Sequence, residues 1–190
     1  MPDTEVKRGP ARLQLAMIAA LFIGPLLIAA WLYYSGSFAP GDRSNHGLLL
    51  EPVVHLPDSH PELPDIAGGH WLLVYSTETE CHEGCLATLH AQRQLRLMLG
   101  NDMSRVMRVF LQANTTADRV VFDEEDPGLE VLHDQDLARD LWSALPAGTP
   151  PGGLFLIDPL GNLVMYFQST LDPRDMVDDI KHLLKLSRIG

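Results

Sequence analysis

The chain has 190 residues, enough for one domain and an appendage. Acidic residues outnumber basic ones by 25 to 14, a net charge of −11, which excludes nucleic acid as a partner and disfavours adhesion to anionic lipid. Only two cysteines are present, too few for a structural zinc site built on thiolates, and no internal repeat or low-complexity tract breaks the pattern.

Residues 1–12 carry Lys7, Arg8 and Arg12, and residues 13–34 (LQLAMIAALFIGPLLIAAWLYY) carry no charge. As a helix that run is about 33 Å long, enough to cross the hydrocarbon core of a bilayer. Trp31, Tyr33 and Tyr34 supply aromatic anchors at one interface. The positive flank predicts a single-pass anchor with residues 1–12 cytoplasmic and the rest of the chain outside. In a bacterium this is the inner membrane, with the C-terminal domain in the periplasm. A cleaved signal peptide fits less well, because its apolar region normally spans 7–15 residues. Residues 35–47 (SGSFAPGDRSNHG) read as a polar tether, and 48–190 as the domain.

Within the domain, 48–69 holds short apolar pieces broken by four prolines, consistent with a first strand followed by turns. His55, His60 and His70 fall there and read as exposed loop residues. The unbroken apolar run at 71–75 predicts a strand buried on both faces. A helix is expected over about 83–99, stopped by Gly100, and a second strand over 105–111. The acidic run at 123–128 reads as a solvated loop. Asp134 or Asp136 can cap a helix over 135–145. PAGTPPGG (146–153) then breaks the chain, and GLFLIDPLGNLVMYF (153–167) reads as a hairpin around a DPLGN turn. Asp172 and Pro173 begin the last helix.

The two cysteines stand in CHEGC (81–85), between the first confident strand and the helix that follows. At spacing i,i+4 both sulfurs can lie on one side of the helix start, where free N–H groups and the dipole stabilise thiolate. Thiolate attacks disulfides and binds soft metals, so the pair reads as a redox dithiol or part of a metal site. A purely structural disulfide over so short a loop would stabilise little. Glu78, Glu80 and Glu83 oppose the helix-end effect by raising thiol pKa values.

From residue 71 the predicted order is β-α-β-α-β-β-α: an α/β, thioredoxin-like fold preceded by one N-terminal transmembrane helix. In its parallel pair, reactive groups gather beyond the carboxyl ends of the strands. The cysteine loop, the start of the 135–145 helix and Thr149-Pro150-Pro151 are all expected at that edge.

WLLVYSTETECHEGC, GLFLIDPLGNLVMYF and the final helix together resemble the Sco/SenC family of membrane-anchored cytochrome oxidase assembly proteins. The resemblance implies a thioredoxin fold, a CxxxC pair matched by Cys81 and Cys85, and work at the copper site of cytochrome c oxidase. It also implies an oxidase subunit or another assembly factor as partner, besides the bilayer around residues 13–34. Two positions depart from the family: Leu86 follows the second cysteine where proline is usual, and AGTPPGG replaces the neighbourhood of the third copper ligand, a histidine. Pro150 or Pro151 resembles instead the proline that thioredoxins place beside their cysteines, typically in cis.

Three functions follow as expectations. In thiol–disulfide exchange, Cys81 attacks, Cys85 resolves, Pro151 (or Pro150) shapes the partner groove, and no cofactor is required. In copper carriage, Cys81 and Cys85 hold the metal with His133, which precedes the 135–145 helix, or with His82 inside the loop; His90 is a weaker choice. The third is an assembly scaffold without chemistry, against which the intact cysteine pair speaks.

Overall fold

The computed structural model describes residues 11–35, 45–77, 81–113 and 128–187, and the chain divides into two compact units, Met1–Arg43 and Ser44–Gly190. In the first unit a single described helix, α1 (Ala11–Tyr34), contains Pro25. Its segment Gln14–Tyr34 has a mean hydropathy of 2.4 and is long and apolar enough to cross a membrane.

The second unit is built on one mixed six-stranded sheet. Its strands are β1 (Leu48–His55), β2 (Trp71–Thr77), β3 (Val106–Gln112), β4 (Leu129–Leu132), β5 (Leu154–Ile157) and β6 (Asn162–Phe167), in the order β1-β6-β5-β2-β3-β4. β2 lies at the centre, parallel to β3 and antiparallel to β5. Among the described residues the α-helices α2 (Leu63–Ala67), α3 (Glu83–Met98), α4 (Gln135–Ser143) and α5 (Pro173–Leu186) complete it. This is the expected thioredoxin-like arrangement, with two strands added at its edges.

One of these, β4, reads in the sequence only as a brief apolar patch. It is four residues long and pairs with β3 alone, so no periodicity could build up. The other, β1, pairs antiparallel with β6 across an irregular register between Leu49 and Val54. α4 stops at Ser143, two residues short of the expected end and ahead of Pro146.

Alternation along the strands divides the core into two layers. Trp71, Leu73 and Tyr75 of β2 pack with Leu89 and Leu95 of α3 and with Met176 and Ile180 of α5. Leu72 and Val74 face the opposite way, toward Leu137 and Leu141 of α4 and Leu56 and Leu63 ahead of β2. Both faces of β2 are therefore covered, which explains its unbroken apolar run. Asp134 and Asp172 cap α4 and α5, each accepting a backbone N–H through its side chain.

Candidate redox site

β2 ends at Thr77, and Glu78 and Glu80 lie outside the described residues. At the other end of that connection His82 is extended and N-caps α3, its carbonyl accepting from Leu86 N at 3.0 Å. Cys81 and Cys85 are joined in a disulfide with their Cα atoms 5.1 Å apart. Their exposure differs. Cys85, in the first turn of α3, shares the inward face with Leu89, Gln92 and Leu95 and is 8% exposed. Cys81 packs against the same core from outside the helix and is half-buried.

Gln92 explains why α3 shows no clean apolar stripe: a polar residue occupies its buried face. The Gln92 amide donates to the carbonyls of Leu73 and Val109, at 2.7 and 3.2 Å, clasping the helix to β2 and β3. Leu86, Leu97 and Met98 are exposed instead.

The antiparallel register sets Tyr75 opposite Leu154, so the segment preceding β5 arrives at the carboxyl end of β2 as expected. Tyr166, buried on β6, holds that segment. Its hydroxyl donates to Pro150 O at 2.7 Å and accepts from Gly153 N at 3.0 Å. Burial, foremost, raises the pKa of this phenol, so it stays a donor. Gly153 is required by space: a Cβ there would lie 2.0 Å from the Phe167 carbonyl oxygen and 2.6 Å from the Tyr166 hydroxyl. Pro150 and Pro151 are exposed. The expected cis proline does not occur at either position; the cis bond among the described residues is Glu51–Pro52. Gly148 and Gly152, at φ 86 and 87, reverse the chain here instead. A mainly apolar cavity of about 290 Å³ runs between α3 and this segment, with Ala87, Thr88, Leu95, Gly153, Phe167 and Met176 in its walls.

His82 and His90 are exposed, and so is His133 in the turn between β4 and α4. β4 lies at the same sheet end as β2 but beyond β3, about two strand spacings, or roughly 10 Å, from it. Among the described residues, the three potential ligand atoms found within 4.8 Å of one another belong to His60, Glu62 and Asp134; neither cysteine belongs to that group. The sulfurs are bonded to each other in this oxidised form, and Gly153 leaves no room for a side chain at its own position ahead of β5.

Two contributors escape the sequence reading. Tyr166 sits among apolar strand residues, and only the rule that a buried phenol needs a partner hints at its role. His60, expected to be exposed, is 5% exposed. Four neighbouring prolines obscured the fact that Leu56 and Leu63 pull its turn into the core.

No curated protein matches the chain. Among solved structures, the copper-bound ScoI of Arabidopsis thaliana is 15% identical, with a TM-score of 0.52 over 65% of this chain and 89% of that one. Yeast Sco1 is 16% identical, with a TM-score of 0.51 over 65% and 85%. The resemblance to Sco proteins thus holds in three dimensions, and at this identity it is a likeness of fold. Residues 71–187 match the family described as "transmembrane-like, thioredoxin-like, C-terminal domain", which covers more than half of the sequence. The chain belongs to that family.

Proposed function

We propose that this protein is a membrane-anchored thiol–disulfide oxidoreductase acting outside the cytoplasm during cytochrome c oxidase assembly, on an oxidase subunit or another assembly factor. The observation that carries the reading is the Cys81–Cys85 disulfide at the start of α3, with one sulfur half-buried and the other enclosed. In the reduced protein the Cys81 thiolate attacks a disulfide sulfur of the partner and expels one partner thiolate, forming a mixed disulfide. Cys85, after losing its proton, attacks Cys81 Sγ and releases the second partner thiolate. Two electrons have then reached the partner, and the Cys81–Cys85 disulfide remains. A second dithiol protein must return those electrons. Pro151 and the Tyr166-held segment around it form one wall for the partner's backbone, and the cavity along α3 receives a neighbouring apolar side chain. The oxidase context rests on the sequence resemblance to the Sco/SenC family, and the anchoring on α1.

Cys85→Ala removes the resolving thiol and should accumulate a mixed disulfide through Cys81, visible on non-reducing gels and lost in the Cys81→Ala, Cys85→Ala double variant. No trapped species from membranes, together with reduced wild-type cysteines that resist alkylation in the folded state, would overturn the exchange reading. The copper-carrier alternative makes a different forecast. If His133 or His82 were a ligand, the reduced protein would hold Cu(II) with a thiolate absorption band lost in that histidine's Ala variant. The expected result is no such band.

A further inference from the structure

His60 follows a 3₁₀ turn (Leu56–Asp58) between β1 and α2, and its side chain is 6% exposed. Nε2 lies 3.0 Å from Asp140 Oδ2. A carboxylate only accepts, so this nitrogen carries the hydrogen. In the neutral ring the lone pair is then on Nδ1. That atom faces two further carboxylates, Glu62 Oε1 at 3.6 Å and Asp134 Oδ2 at 3.9 Å, and no hydrogen bond reaches it among the described residues. Three acceptors thus surround one point without a donor between them. A positive charge at that point, a proton on Nδ1 or a metal ion, would be shared by all three. Asp134 has little freedom to turn away, because its other oxygen, Oδ1, accepts from Leu137 N at 2.9 Å and caps α4.

We propose that His60 Nδ1, Glu62 and Asp134 bind a divalent transition-metal ion of the Zn²⁺ class, with Asp140 orienting the imidazole from behind. Tetrahedral ligands about 2.1 Å from zinc stand about 3.4 Å apart, so the two histidine–carboxylate gaps need to close by only a few tenths of an ångström. Imidazole with two carboxylates suits Zn²⁺ and its first-row neighbours, whereas Cu(I) prefers thiolate. The Asp140–His60 bond is the usual outer partner of a metal-bound imidazole. Water completes the coordination. The ion would fasten the segment ahead of β2 to the start of α4. That is the sheet face opposite α3 and α5, so the site is independent of the redox reading.

The test is calorimetric titration of the full-length, oxidised protein in detergent with ZnCl₂, purified without a histidine tag. Oxidation removes both thiolates as competing ligands. One Zn²⁺ per chain is expected, with affinity at least tenfold weaker in Glu62→Gln and in Asp134→Asn, and unchanged in Asp178→Asn on α5. Asparagine caps a helix as well as aspartate, and Glu62 is half-exposed, so both variants keep the fold. The thermal midpoint should rise with Zn²⁺ in the wild type and not in Glu62→Gln. Absence of saturable binding, or binding indifferent to both substitutions, would overturn the proposal. The second of these results, or none at all with a protonated Nδ1 seen by NMR, would assign the point to a proton.

Discussion

Tyr166 does more at the candidate redox site than its place in a strand suggests. Its ring fills the core between β5 and α4, against Phe155 and Trp142, while its hydroxyl ties down the 150–153 segment from both sides. Tyr166→Phe keeps the ring and leaves the buried Gly153 N–H without its acceptor, an omission that costs about 1–3 kcal/mol. Denaturant unfolding should show a loss of that size. If the loosened segment forms one wall of the partner groove, as proposed, trapping by Cys85→Ala should also fall in the double variant with Tyr166→Phe. Unchanged stability would mean that water replaces the phenol. Cys81 and Cys85 show the same logic of position: identical groups, one half-buried and one enclosed, differ by exposure alone, which is the ground for the proposed order of attack.

At the scale of elements, the chain ahead of β1 is fastened to α5 chiefly through Asp179. Asp179, 5% exposed, accepts from His46 N at 2.8 Å and Gly47 N at 2.7 Å through one oxygen, and its other oxygen lies 3.2 Å from His46 Nδ1. Gly47 is needed because a Cβ would meet the Phe167 ring at 2.7 Å. The hydrogen bond to Asp179, and then the charges of Asp175, Asp179 and Asp178, raise the His46 pKa above 6.5, with burial opposing them. A raised folded-state pKa means that the imidazolium contributes stability fully below about pH 6.5 and loses it as pH rises through the folded value. The stability difference between wild type and His46→Gln should therefore be largest below pH 6.5 and shrink above it, as read from denaturation midpoints across a pH series. A difference constant with pH would show that only the two backbone bonds matter.

For the whole molecule, the Lys7, Arg8 and Arg12 flank and the apolar α1 predict that the domain faces away from the cytoplasm. Alkaline phosphatase fused after Gly190 should be active in a bacterial host; an inactive fusion with a stable product would reverse the orientation. The amino-acid sequence by itself determined the apolar span, the central strand, the cap at Asp172, the hairpin and the cysteine pair, and it narrowed the cap of α4 to Asp134 or Asp136. Each of these is a local pattern: a run without charge, a capping residue before a helical period, a turn between alternating strands. Only the tertiary structure decided the rest. β4 needed β3 beside it, since four residues carry no period of their own. The segment before β5 turned on Gly148 and Gly152 and on a phenol thirteen residues beyond Gly153, so no cis proline was required. His60 and Asp134, more than seventy residues apart, became neighbours because the turn ahead of α2 and the start of α4 bury apolar side chains in the same core layer. Contacts between distant segments are set by which faces bury together, and no local pattern records them.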